Sequence, residues 1–138
     1  MQLLYILIIF LLFVISSWHF YWAAGGRLGL EAAIPTVDGE PIFQPTALIT
    51  AVVGILILGL AVLFFGLTFD NIVRSRFGDV LQYMGLFAAA AFMLRAIGDF
   101  HVVGFFKHEK NGKFARFDSL LYSPLCLALG VAFSFASF

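Results

Sequence analysis

The sequence predicts an all-α fold: a single domain, residues 1–138, built as an antiparallel four-helix transmembrane bundle. Three observations predict it. The chain is 62% hydrophobic and only 12% charged, with a mean hydropathy of +1.03. Four apolar runs, at about 1–24, 46–69, 79–103 and 118–138, each supply the ~20 residues that a span requires. Three polar stretches separate the runs, the pattern expected where helices must satisfy every backbone polar group inside the bilayer. A soluble domain of this size has too little interior to hide so much apolar surface.

Composition also excludes several functions. A formal net charge of +0 leaves no clustered basic surface for nucleic acid. Cys126 is alone, so neither an intrachain disulfide nor a cysteine-rich zinc site is available. No P-loop, nucleophile elbow, HExxH or Rossmann glycine motif is present. Nothing therefore decides whether the chain is an enzyme, and no cofactor is assigned.

The first run has no Lys or Arg before its apolar core and continues past the roughly 7–15 apolar residues of a signal peptide. It reads as a retained transmembrane helix. Its far end, WHFYW (Trp18 to Trp22), suits the headgroup level where Trp and Tyr collect. An aromatic belt accounts for Trp18, Tyr21 and Trp22 but not for His19. Gly25-Gly26 then stops the helix. The stretch from Arg27 to Pro45 is the longest water-exposed loop, with one interfacial turn at LGLEAAI. It reads as a connector, with a lid as the alternative.

The second run carries no charge until Asp70, and Ala51, Gly54 and Ala61 mark one stripe of small residues for close helix packing. DNIVRSRFGD reads as a short polar hairpin, with Asp79 capping the third helix. In that helix Gly85 and Ala89 form a small-xxx-small pair. Further on, Ala88, Ala91, Arg95 and Asp99 share a helical face. Arg95 and Asp99, four apart, are placed to pair, either as a bridge that pins helices or as groups that meet a substrate.

His101 lies about 200° round the helix from Asp99, so the two make no ready chelate. GFFKHEKNGKFARF reads as an interfacial loop whose bases snorkel while its phenyl rings enter the bilayer. Asp118 is placed to cap the last helix. Pro124, several residues in, predicts a kink that frees the carbonyl near Leu120. The alternative is a shorter helix that starts at Pro124 with Ser123 as its cap.

Antiparallel spans bring the ends of helices one and three and the start of helix four to one side. His19, Trp22, Arg95, Asp99, His101, Asp118 and Tyr122, together with Glu31, converge near one mouth of the bundle. An aromatic belt needs no acids and no intramembrane arginine, so the cluster implies a polar pocket that opens at one membrane face. Bases number five on that side (Arg27, Lys107, Lys110, Lys113, Arg116) and two on the other (Arg74, Arg76). The positive-inside rule then puts the mouth in the cytoplasm.

Three stretches, HFYWAAGG, RAIGDFHVVGFFK and FARFDSLLYSPLC, resemble DUF3995, a family of small bacterial four-span membrane proteins. The resemblance covers nearly the whole chain. It implies the four-helix membrane fold and a multi-pass protein of the bacterial inner membrane, and it carries over no catalytic role.

The reading that follows is an integral membrane protein whose pocket binds an amphipathic or lipid-like small molecule. Arg95 meets its anionic or carbonyl group, with His19 or Asp99 as acid or base. The alternative is an accessory subunit or assembly factor with a membrane protein partner. A haem or metal site at His19 and His101 is the weakest reading, because histidines at interface depth are more often hydrogen-bonded belt residues.

Overall fold

The computed structural model describes residues 1–138, the side chains of Ile72 and Val73 excepted. Helix α1 (Gln2–Ala23) ends where Gly25 turns to φ +99° and the Gly26 N–H donates to the Tyr21 carbonyl at 2.9 Å. Only glycine enters that left-handed region without cost. The first loop then forms a short helix, α2 (Leu30–Ala33), within the LGLEAAI segment, followed by a small hairpin. Its strands β1 (Thr36–Val37) and β2 (Glu40–Pro41) pair antiparallel, Thr36 opposite Pro41 and Val37 opposite Glu40. Asp38 and Gly39, both at positive φ, make the turn that an Asp-Gly pair favours.

Helix α3 (Ala47–Thr68) starts on Thr46, whose hydroxyl accepts the Ile49 N–H at 3.3 Å. Helix α4 (Asn71–Ile97) differs from expectation at both ends. The DNIVRSRFGD stretch is helical rather than a hairpin, broken only at Phe77 (φ −129°, ψ 24°). Asp79 therefore lies in the first turn after that break instead of capping a free end. The far end is Ile97, not Val103, because Gly98 at φ +91° reverses the chain.

The last span also begins earlier, at Lys113 rather than Asp118. Helix α5 (Lys113–Phe117), a π-helical turn (Asp118–Tyr122) and helix α6 (Ser123–Ala136) follow one another without interruption. The π turn is the answer to Pro124. An α-helical proline lacks an N–H for the residue four back and collides with its carbonyl, here Leu120. Widening the preceding turn, with the Ser123 N–H donating to the Asp118 carbonyl, accommodates the ring without ending the helix.

Packing runs in two pairs, α1 along α3 and α4 along α6, joined mainly through α3 and α4. Small residues set the distances, since lipid gives helices no hydrophobic reason to associate. Ser16 donates to the Gly54 carbonyl at 2.8 Å, and a Cβ on Gly54 would stand 3.3 Å from that of His19. Gly130 sits against Ala89 and Met93, and Gly85 against Leu67 and Ser137. Between the pairs, Phe64 and Phe133 are fully buried and meet edge-on with centroids 4.9 Å apart. The outward faces carry Leu48, Phe87 and Phe135, all exposed.

Helices α1 and α3, the Arg74–Ile97 part of α4 and the Lys113–Ala136 helix are long and apolar enough to cross a membrane. The chain is a multi-pass membrane protein. Both chain ends and the α3–α4 junction share one side, and the first and third loops form the other.

Candidate functional site

Asp118 is the centre of the loop side. It lies within the second turn of the last span and its side chain is wholly buried. A carboxylate taken out of water needs several donors, and it finds three. Arg95 Nη2 donates to Oδ1 at 2.8 Å, while Lys107 Nζ and the Gly104 N–H donate to Oδ2 at 3.0 and 2.8 Å. Lys107 is as buried as the acid, with 1% of its side chain exposed. Its other protons go to Ser119 Oγ at 2.6 Å and the Gly104 carbonyl at 3.1 Å, so the ammonium is fully satisfied.

The loop that delivers two of these donors is built by residues 98–104. Gly98 and Gly104, both at positive φ, lie backbone against backbone, and a Cβ on either would run into the other strand of the loop. Asp99 holds the turn. Its Oδ1 accepts the N–H groups of His101, Val102 and Val103, each at 2.9 Å. Desolvation works against its ionisation, but the amides of Val103, His101 and Val102 outweigh it and hold the carboxyl below the usual carboxylate range.

This corrects the expected pairing of Arg95 with Asp99. Helix α4 ends at Ile97, so Asp99 is off the helical face that carries Arg95 and serves its own loop instead. Arg95 reaches across to Asp118, which is a ligand of cations within the helix and not its cap.

The remaining candidates fall into separate groups. His19 Nδ1 lies 2.8 Å from the Ile15 carbonyl, and its ring meets Trp22 edge-on at 5.2 Å. Trp22 Nε1 donates to the Leu28 carbonyl at 2.8 Å, which ties the first loop to the end of α1. Tyr122 donates its hydroxyl to the Ala32 carbonyl at 2.9 Å and so holds α2 against the last span. His101 is exposed. Among the described residues neither His19 nor Trp22 hydrogen-bonds to Arg95 or Asp118, and no three His, Cys, Asp or Glu side chains gather as a metal set.

Lys107 is the residue that sequence reasoning placed wrongly, as a snorkelling base of the third loop. The available signal was its position at the end of RAIGDFHVVGFFK: the glycine pair that folds this stretch back also carries its last residue inward.

A family model described as a protein of unknown function (DUF3995) matches residues 12–133. The chain belongs to the DUF3995 family. No curated protein and no solved structure matches it. In this DUF3995 protein the stretches RAIGDFHVVGFFK and FARFDSLLYSPLC are the two halves of one buried charge cluster: Arg95, Gly104 and Lys107 from the first, Asp118 and Ser119 from the second.

Loop-side chemistry extends to a cavity of about 530 Å³ between the first loop and Gly112–Lys113. Lys113 Nζ and Glu31 Oε2 close one side of it at 2.6 Å, both exposed. The Lys113 ammonium, hydrogen-bonded and attracted to it, pulls the Glu31 carboxyl below its ordinary value.

Proposed function

We propose that this DUF3995 protein is a membrane-embedded binding protein whose loop-side mouth holds the anionic or carbonyl end of an amphipathic, lipid-like molecule, with Arg95 as the direct contact. One observation carries the reading: Arg95 uses Nη2 on Asp118 while its buried Nη1 has no partner among the described residues. A buried donor left unmade costs about 1–3 kcal/mol, and more when charged, a cost that an acceptor reaching it would remove. The Arg95 side chain is 34% exposed through atoms other than Nη1, so, unlike Lys107, it borders open space.

Charge supports the same reading. Two cations, Arg95 and Lys107, face one carboxylate, which leaves a single positive charge at the edge of a low-dielectric slab. Asp118 and Asp99 position the guanidinium and the loop. His19, Trp22, His101 and Tyr122 complete the candidate set around the same mouth.

Native mass spectrometry of the protein purified in mild detergent tests the proposal. The expected result is a retained small molecule of about one equivalent, lost in Arg95→Gln and kept in part by Arg95→Lys, with both variants folded. Retention of the same molecule by folded Arg95→Gln would overturn it, and a stoichiometric protein partner in place of the molecule would favour the accessory-subunit reading.

A further inference from the structure

The charge cluster leaves the loop cavity unused. Its apolar wall is Leu30, Ile34 and Pro41, and its charged groups are Arg27, Lys113 and Glu31. At about 530 Å³ it falls in the size range of small-molecule sites, roughly 300–1,000 Å³. Lys113 and Glu31 neutralise each other at 2.6 Å. Arg27 has no hydrogen-bond or ion-pair partner among the described residues. The site thus presents one uncompensated guanidinium beside an apolar wall.

Its walls are held in place from both sides. Gly112 at φ +98° lies so close to β1 that a Cβ there would stand 2.9 Å from Thr36 Oγ1. Tyr122 anchors α2 through the Ala32 carbonyl, and Trp22 anchors Leu28. A ligand entering would meet a formed site rather than ordering a loose loop, which lowers the cost of binding.

We propose that this cavity is a second, separate binding site for an anionic amphiphile: a phosphate or carboxylate head on Arg27 and a short apolar chain against Leu30, Ile34 and Pro41. A guanidinium recognises either head through paired N–H donors. A metal cation is disfavoured by the net positive charge. The loop side adjoins the membrane surface, so the same chemistry is available from a bilayer lipid or from a water-borne molecule.

Octyl phosphate, titrated into detergent-purified protein and followed by native mass spectrometry and calorimetry, tests this. The titration is made in the Arg95→Gln background, which removes the contact at the mouth, and one equivalent should bind there. Arg27→Gln should weaken it by about tenfold or more, as loss of a charge-assisted hydrogen bond does, Arg27→Lys should weaken it less, and Ile34→Trp should block it by filling the cavity. Because Arg27 has no partner, Arg27→Gln should keep the wild-type melting temperature. Equal binding by Arg27→Gln, or by neutral octyl glucoside, would overturn the site, as would binding of inorganic phosphate as tight as that of octyl phosphate. Repeating the titration in phosphatidylcholine nanodiscs with and without phosphatidylglycerol separates the sources: competition by the anionic lipid assigns the site to a bilayer lipid, and its absence to a soluble amphiphile. Loss of octyl phosphate from Arg95→Gln would also overturn the separateness of this site, whereas loss of an endogenous ligand from Arg95→Gln bears only on the mouth.

Discussion

Arg95 and Asp118 form a 2.8 Å ion pair between α4 and the π turn of the last span, and the pair is asymmetric. Asp118 has three donors and no exposure, whereas Arg95 has one acceptor and an open side.

Asymmetry predicts unequal mutants. Asp118→Asn strands two cations, one of them wholly buried, and should destabilise by about 3–5 kcal/mol. Arg95→Gln leaves Lys107 to neutralise Asp118 and should cost clearly less. Thermal unfolding in detergent checks the order, and equal losses would contradict it.

The glycine pair should be as intolerant as the acid. Gly98→Ala or Gly104→Ala forces a side chain into positive φ, at about 1–3 kcal/mol, and into the facing backbone besides. Gly59→Ala, whose Cβ would meet nothing within 4 Å, should be neutral or slightly stabilising in its helix. Melting temperatures of the three variants make the comparison.

Lys107 should be chemically silent. A water-soluble amine-acylating reagent is expected to modify the exposed Lys110 and Lys113 and to spare Lys107, with Lys107 becoming reactive in Asp118→Asn. Peptide mass mapping reads the outcome, and prompt labelling of Lys107 in the wild type would contradict its burial.

Acid dependence should come in part from Asp99. Its folded pKa is depressed by three amides. Its contribution to stability is therefore complete above the unfolded value of about 3.9 and is lost as pH falls through the folded value. Carboxyl-carbon NMR of Asp99 should show a midpoint below 3.9, and Asp99→Asn should flatten the fall in melting temperature below about pH 4. A midpoint at or above the ordinary value would contradict the amide cradle.

Tyr122→Phe should loosen the first loop, since it removes the hydroxyl that holds α2, for about 0.5–1.5 kcal/mol. Glu31→Ala, which breaks only an exposed and solvent-screened pair, should cost less. Faster proteolysis at Asp38–Gly39 in Tyr122→Phe than in Glu31→Ala is the expected observation.

The spans were legible because bilayer thickness fixes their length and composition. Gly54 and Gly85 were legible because small residues mark helix contacts. The Arg95 partner was not, because helical spacing to Asp99 holds only while the helix lasts, and the Gly98 turn that ends it depends on a contact with Gly104 six residues on. Lys107 was missed for a related reason: chain order puts it in a basic loop, while the folded loop puts it under Asp118. Topology gathers the ends of helices one and three and the start of helix four, but it does not say which side chains there touch: Arg95 meets Asp118, whereas Trp22 and Tyr122 bind the first loop.

The π turn at Asp118–Tyr122 has a consequence for the whole last span. One extra residue in a turn offsets everything before it by roughly 100° relative to everything after. Asp118 thereby aims at Arg95 while Leu129 and Phe133 aim at the bundle centre; in an unbroken α-helix Asp118 would fall within roughly 20° of Leu129, on the core-facing side. The span behaves as two helical segments of different phase joined by a fixed register step. Removing one residue from that turn would leave composition and hydropathy almost untouched, yet it would swing Asp118 by roughly 100° relative to the packed core.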